Sequence, residues 1–297
     1  MLTRADLLLL LVSVIWGTTF ALLRDSLRLI HPVELMAVRF SIAAIVLIAV
    51  YWRRLVPIGR QWLRDGAWLG CWLAVGYLTQ VIGLATITAS RSAFITSTYI
   101  IFTPFLAIPF GAARPGLGDI LGVALAFGGI SLFSSDAGFS LSSGELWTLG
   151  CALCFGIQIV ITNIVAKKSD PIALSVVQVV VAALIGWACV LGRGGFHTPL
   201  QQVPWGVLVY LALVATAVVI LIQTWALART TPVKAALIFS TEPIFATIFA
   251  VSFFGETMSR REVLGGVLII TAVIVAESWR PAMAKLRLRG AKGAGAS

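Results

Sequence analysis

Two stretches of this chain carry the same pattern: QVIGLATITASRSAFITSTYIIF at residues 80–102 and QTWALARTTPVKAALIFSTEPIF at residues 223–245. The two stretches align without a gap in the register that pairs Gln80 with Gln223. The alignment continues for 46 positions with fifteen identities, which is more than shared hydrophobicity produces in one register. The chain therefore contains an internal duplication, and its fold must consist of two similar units.

Between its clusters of charge the chain is apolar enough to cross a membrane many times. Apolar residues make up 59% of its 297 residues, charged residues make up 11%, and the mean hydropathy is +1.00. A helix needs about 20 apolar residues to span a bilayer, and lipid does not satisfy the open edge of a sheet. We therefore predict an all-α membrane protein with ten transmembrane helices, centred near Trp16, Ile45, Val75, Thr103, Ala126, Gln158, Val181, Thr216, Thr247 and Ile270.

The duplication divides the ten predicted helices into a first five-helix repeat at residues 1–137 and a second at residues 144–281, followed by a basic tail at residues 282–297. Towards the start of each repeat the register is slightly different, and it aligns Trp16-Gly17 with Phe155-Gly156 and His31-Pro32 with Asp170-Pro171. Because five is odd, the second repeat enters the membrane from the opposite side, so the repeats are inverted. Inverted repeats around a central cavity allow alternating access, in which the cavity opens to each side in turn.

The distribution of Lys and Arg predicts the orientation in the membrane. An N-terminus inside the cell places fifteen of these residues on the cytoplasmic side and six outside, so we expect both termini to be cytoplasmic in a multi-pass protein of the cell (inner) membrane. The net charge of +10 then reflects topology, and no nucleic-acid partner is expected. The basic tail is expected to contact anionic lipid headgroups.

Three short motifs carry a resemblance to a known family: Trp16–Phe20 in the first predicted helix, His31-Pro32 through Arg39-Phe40 in the second, and Gly255–Ser259 before the tenth. Together they resemble the drug/metabolite transporter superfamily, in particular ten-helix EamA-type exporters and, more narrowly, aromatic amino-acid exporters of the YddG type. The resemblance covers about residues 5–280. It implies a cavity between helices one, three, four, six, eight and nine that exports amino acids and related metabolites. We expect a monomer without cofactors.

Arg39 lies about two turns into the second predicted helix, where an ionisable group is costly unless it meets water, a partner or a substrate. It is a candidate for binding a substrate carboxylate through two parallel hydrogen bonds. The alternative is a structural role, in which Arg39 pairs with Glu34 or a helix end.

Glu242 is the second charged residue at this depth, and it is a candidate for binding an ammonium group or a proton. Pro243 follows it and lacks an N–H, so we expect the carbonyl of Phe239 to be free and the span to bend there. The alternative for Glu242 is to cap a helix or to pair with Arg39 or Lys234.

Polar and aromatic residues at helical spacing predict the rest of a binding cavity. Trp16, Thr19 and Phe20 share one face of the first helix. The further predicted substrate-binding residues are Tyr77, Gln80, Thr96, Tyr99, Gln158 and Gln223. Each of these polar groups is also of the kind that joins helices within a bundle.

Other classes of function lack their sequence signals. The chain has no Gly-rich phosphate loop ending in Lys-Ser/Thr, and its two histidines have no ligand partners nearby in sequence, so neither ATP nor a metal is expected. No grouping of Ser, His and Asp lies at membrane depth, so an enzyme is not expected. The sequence predicts a broad exporter of neutral amino acids, including aromatic and methionine- or threonine-type ones. Export of other metabolites or drugs, and a facilitative channel, remain as alternatives.

Overall fold

Helices account for all the regular secondary structure of the residues that the structure, a computed structural model, describes: 3–56, 59–110, 116–133, 141–230, 235, 238–239 and 241–275. In chain order they are α1 (Arg4–Ser26), α2 (Pro32–Leu55), α3 (Arg60–Leu84), α4 (Ala89–Ser97 and Tyr99–Leu106, followed by a 3-10 turn at Ile108–Phe110), α5 (Leu117–Phe133), α6 (Ser143–Val165), α7 (Pro171–Gly192), α8 (Trp205–Leu227), α9 (Glu242–Phe254, preceded by helical residues 235 and 238–239) and α10 (residues 260–275).

These helices confirm the prediction of an all-α membrane protein. Six of the described helices, namely α1, α2, α3, α6, α7 and α8, are long and apolar enough to span a membrane. The other four are shorter, with apolar segments at Ile120–Leu132 and Glu242–Phe254, and they lie where the remaining predicted spans are centred. Each of the ten predicted centres therefore falls within a helix.

The helix starts reproduce the register that aligns the beginnings of the two repeats. Thr3 and Asp6 form a capping box at the start of α1, and Ser142 and Glu145 form the equivalent box at α6. The paired His-Pro and Asp-Pro motifs begin α2 and α7. At α2 the Nδ1 of His31 accepts the Val33 N–H at 3.4 Å, and at α7 Asp170 accepts the Ile172 N–H at 2.8 Å.

Helix packing also follows a two-fold pattern. Helix α1 packs against α8 and α9, and its repeat equivalent α6 packs against α3 and α4. Helices α2 and α7, which are equivalent, pack against each other, as do α4 and α9. An approximate two-fold relation between the repeats produces this pattern and places the centre of the molecule between α1, α3, α4, α6, α8 and α9.

Helices α4 and α9 each have a break at equivalent positions of the two repeats. Helix α4 breaks at Thr98 and resumes at Tyr99, and α9 begins at Glu242 directly after Thr241. Pro243 consequently lies in the first turn of α9, where a missing N–H costs no helical hydrogen bond. Because residues 238–239 before this turn are also helical, the bend of the ninth span beside Pro243 and the free carbonyl of Phe239 stay predictions.

The motif before α10 caps a helix of the other repeat. Gly255 ends α9 with a φ of 64°. The carboxylate of Glu256 then accepts the Ala89 N–H at 2.6 Å, the Ser90 N–H at 3.1 Å and the Ser90 hydroxyl at 2.6 Å. These bonds satisfy donors at the start of α4 that have no partner within the helix, so the motif ties the two repeats together at one membrane face.

Candidate functional site

A cavity lies at the centre of the helix bundle, between the two repeats. The space within it that the centre of a water molecule can reach is about 20 Å³. It is lined by Trp16, Thr19, Phe20, Leu73, Tyr77, Gln80, Thr96, Tyr99, Phe155, Gln158, Ile159, Gln223 and Glu242. These residues come from α1, α3, α4, α6, α8 and α9, the six helices that the family resemblance implies.

Most of the lining residues form pairs that the duplication relates. The register at the start of the repeats pairs Trp16 with Phe155, Thr19 with Gln158, and Phe20 with Ile159. The register of the later part pairs Gln80 with Gln223 and Tyr99 with Glu242. Because both members of each pair line the same cavity, the cavity lies on the approximate two-fold axis. Inverted-repeat transporters bind their substrates at this kind of position.

Glu242 contacts its own repeat equivalent. The hydroxyl of Tyr99 donates a hydrogen bond of 3.3 Å to Oε2 of Glu242, and the two side chains are 2% and 5% exposed. This phenol is the hydrogen-bond partner that the described residues provide for the carboxylate. From the sequence, Arg39 and Lys234 were the alternative partners for Glu242. Arg39 bonds elsewhere, and Lys234 lies outside the described residues.

Arg39 lies behind the cavity wall and is not among the residues that line it. Its guanidinium carbon is 4.7 Å from the centre of the Tyr77 ring, which does line the cavity. Its Nε donates to Oγ1 of Thr216 at 2.7 Å and its Nη2 donates to the Ala215 carbonyl at 3.3 Å. The buried Nη1 has no partner among the described residues. Arg39 therefore bonds to α8 and contacts Tyr77, and it is not a hydrogen-bond partner of Glu242.

The alternative partner for Arg39, Glu34, is also engaged elsewhere. The carboxylate of Glu34 accepts from Arg193 at 2.7 Å and from the N–H groups of His197 and Thr198 at 2.9 and 3.1 Å. It is fully buried. These bonds fasten the loop between α7 and α8 to the start of α2, which is a structural role.

A π-helical segment of α8, Leu213–Val218, creates the binding place of Arg39. In such a segment the backbone bonds shift from the fourth to the fifth preceding residue, and Thr216 Oγ1 likewise donates to the Leu211 carbonyl at 2.8 Å. The Ala215 carbonyl accepts from Arg39 and from Nε1 of Trp16, the latter at 3.2 Å. The segment thus connects α1, α2 and α8 directly behind the cavity.

A chain of amides leads from the cavity into the bundle. Gln158 donates to Gln178 Oε1 at 3.0 Å, and Gln178 donates to Thr224 Oγ1 at 3.3 Å. By contrast, Oε1 of Gln223 is buried without a hydrogen-bond partner among the described residues. The cavity therefore holds polar groups that are already satisfied beside a polar group that is free to bind a ligand.

The structure brings together nine of the ten predicted binding residues: Trp16, Phe20, Tyr77, Gln80, Thr96, Tyr99, Gln158, Gln223 and Glu242. Their role in binding stays a prediction. Sequence reasoning missed Leu73, Phe155 and Ile159. The duplication identifies Phe155 and Ile159 as equivalents of Trp16 and Phe20, so the signal was present for those two. We find no such signal for Leu73.

Comparison with known proteins agrees with this architecture. The profile of the EamA-like transporter family matches the chain twice, at residues 3–135 and 142–277. The chain belongs to the EamA-like transporter family. Its two matched regions cover most of the chain and correspond to the two repeats.

Relatives of this family member are described as transporters. An uncharacterized transporter of Archaeoglobus fulgidus is 31% identical over 275 residues, which cover 91% of this chain and 85% of that protein. The uncharacterized inner membrane transporter YedA of Escherichia coli K12 is 25% identical over 272 residues, covering 88% and 87%. One crystal structure shares the fold, with a TM-score of 0.68 at 17% identity over 92% of this chain and 97% of that one.

Proposed function

We propose that this transporter exports neutral amino acids, including aromatic and methionine- or threonine-type ones, by alternating access. The observation that carries the proposal is the cavity on the two-fold axis, which combines aromatic walls with the carboxylate of Glu242. The aromatic side chains provide apolar surface for a substrate side chain, and the carboxylate provides a partner for its amino group. The narrower resemblance to YddG-type exporters supports amino acids as the substrate class.

The size of the cavity supports alternating access over a continuous pore. A void needs about 10–15 Å³ of this kind of space to hold one water molecule. At about 20 Å³ the cavity is too tight for an amino acid in this conformation. A substrate therefore enters only when the walls move apart, and two equivalent repeats that exchange conformations supply that movement. This favours a carrier over a facilitative channel.

We place the protein in the cell membrane with both termini in the cytoplasm, because Lys and Arg are concentrated in the loops on that side. The name of the relative YedA, an inner membrane transporter, supports this location. A monomer in contact with membrane lipids remains our expectation, since one chain already contains both halves of the cavity.

Counterflow in liposomes tests the proposed function. Purified protein is reconstituted into vesicles loaded with unlabelled phenylalanine or methionine, and uptake of the same labelled amino acid is measured against protein-free vesicles. We expect transient accumulation of the label, recovered chemically unchanged. Glucose serves as the control substrate. Uptake of glucose without uptake of any amino acid would overturn the assignment, and chemical conversion of the label would indicate an enzyme.

A further inference from the structure

We infer that the group this cavity recognises is a protonated amine, and that a substrate carboxylate is not required. The inference rests on the proposed function and narrows its substrate class: amines with an aromatic or apolar body are ligands in their own right, and amino acids bind through their ammonium group. Three features of the cavity carry it, namely its charge, its free hydrogen-bonding groups and its aromatic walls.

The described lining contains one carboxyl group and no basic side chain. Glu242 is the one acidic side chain among the described lining residues, and no Lys or Arg stands among them. The nearby guanidinium of Arg39 lies 4.7 Å from the centre of the Tyr77 ring, donates to Thr216 and is not among the lining residues. A substrate carboxylate in the cavity would thus approach Glu242 without a cation to balance it, whereas an ammonium group meets an opposite charge.

Acceptor atoms for a ligand are available in the cavity. Glu242 receives one bond, from Tyr99, although its carboxylate has room for several. Gln223 Oε1 is buried without a partner among the described residues. An ammonium group carries three N–H donors and no acceptor. It can therefore donate to both Glu242 and Gln223.

Several donors on the cavity wall are already engaged. The indole N–H of Trp16 bonds to the Ala215 carbonyl, and an amide N–H of Gln158 bonds to Gln178. The hydroxyl of Thr19 donates to the Trp16 carbonyl at 2.7 Å. A carboxylate needs donors, so these engaged groups favour an amine over an acid.

The walls are of the kind that bind organic cations. The aromatic rings that line the cavity are Trp16, Phe20, Tyr77, Tyr99 and Phe155. The faces of such rings attract ammonium groups electrostatically, and they also pack against an apolar body. One carboxylate within an aromatic enclosure therefore favours a substrate with a single positive charge.

Three ligands with the same phenyl ring test the inference. Phenylalanine carries both charged groups, phenethylamine lacks the carboxylate, and 3-phenylpropionate lacks the amine. Binding of each to the purified full-length protein in detergent is measured by calorimetry at neutral pH, which avoids leakage of amines across vesicles. We expect phenethylamine to bind at least as tightly as phenylalanine. We expect 3-phenylpropionate to bind at least about 30-fold more weakly, the loss that accompanies one strong charge-assisted bond.

A pair of variants assigns the effect to Glu242. Glu242→Gln keeps the volume of the side chain and removes its charge, and we expect it to weaken phenethylamine binding by about 30-fold. Glu262→Gln makes the same chemical change at the start of α10, away from the cavity lining, and serves as the matched control. Equal affinity of the wild type and Glu242→Gln for phenethylamine would contradict the inference.

The outcomes separate this inference from the proposed function. Binding of phenylalanine but not of phenethylamine overturns the inference and leaves amino-acid transport intact. Binding of phenethylamine without phenylalanine upholds the inference and overturns amino-acid export. Tight binding of 3-phenylpropionate overturns the inference whichever other ligand binds. Binding of none of the three overturns both.

Discussion

The contact between α1 and α9 beside the cavity predicts the effect of a substitution at Gly17, and the equivalent position of the other repeat provides the control. Gly17 follows Trp16 in α1 and faces α9, the helix that begins with Glu242. A methyl group added at Gly17 would lie 2.6 Å from Cβ of Phe245 and 2.9 Å from the backbone N of Ala246. Ordinary contacts between such atoms are about 3.5–4.0 Å. The variant Gly17→Ala must therefore push α1 and α9 apart by about 1 Å.

The balance of two effects sets the expected magnitude. Replacing Gly by Ala inside a helix favours the helix by about 0.8–1 kcal/mol, whereas overpacking of a core costs about 1–3 kcal/mol. Because both atoms that oppose the methyl group belong to the backbone or are fixed directly to it, the strain has no side-chain rotation to relieve it. We expect Gly17→Ala to lower the free energy of unfolding by roughly 1–2 kcal/mol.

The repeat equivalent, Gly156 in α6, is the control. A methyl group there would meet Cδ1 of Leu106 at 2.8 Å, and its next neighbour is the Tyr99 carbonyl at 3.3 Å. The end of the Leu106 side chain can rotate away, so the gain in helix propensity remains. We expect Gly156→Ala to be neutral or to stabilise by up to about 1 kcal/mol.

Unfolding of both variants is measured beside the wild type in one detergent, by heating and by denaturant, and phenylalanine binding is measured on each. Gly17→Ala should unfold more easily and bind more weakly, because separation of α1 from α9 moves Trp16 away from Glu242. A Gly17→Ala protein as stable as the wild type, or an equal loss in both variants, would refute the reasoning.

Three further predictions concern the orientation in the membrane and two hydrogen-bonded contacts. A cysteine at Gln201 should react with an impermeant thiol reagent from outside the cell and one at Lys168 should not; the reverse pattern would refute cytoplasmic termini. Thr216→Val removes the acceptor of the Arg39 Nε–H, and we expect a loss of about 1.5–3 kcal/mol in the free energy of unfolding, while a loss below about 0.5 kcal/mol would show that this bond contributes little. Glu256→Gln weakens the cap of α4 and should lower the same free energy by about 1–2 kcal/mol; an unchanged denaturation curve would count against that role.

Sequence patterns predicted the helices and most of the cavity because both follow from local or repeated signals. Uncharged stretches of span length locate the helices, and helical spacing selects polar residues on one face of each. The duplication adds a long-range signal, since Gln80 and Gln223 must lie at equivalent places around the two-fold axis. These three signals together predicted nine of the residues that line the cavity.

The placement of Arg39 was not predictable in this way. Its partners, Thr216 and the Ala215 carbonyl, depend on a π-helical segment of α8 that leaves no periodic pattern in the sequence. The contact of Tyr99 with Glu242 could not be predicted from the sequence either. The duplication shows that the two positions are equivalent, but only packing shows that equivalent positions lie close enough to touch.

The contact between Tyr99 and Glu242 bears on why the two halves are joined in one polypeptide. A dimer of identical five-helix subunits has the same residue at both symmetry-related positions, so its cavity would hold two carboxylates or none. Two carboxylates at this separation would repel each other and could not both remain ionised. Covalent linkage lets one position keep a phenol while the other becomes an acid. A cavity with a single negative charge and its own hydroxyl donor is thus available to a fused chain and not to a symmetric homodimer.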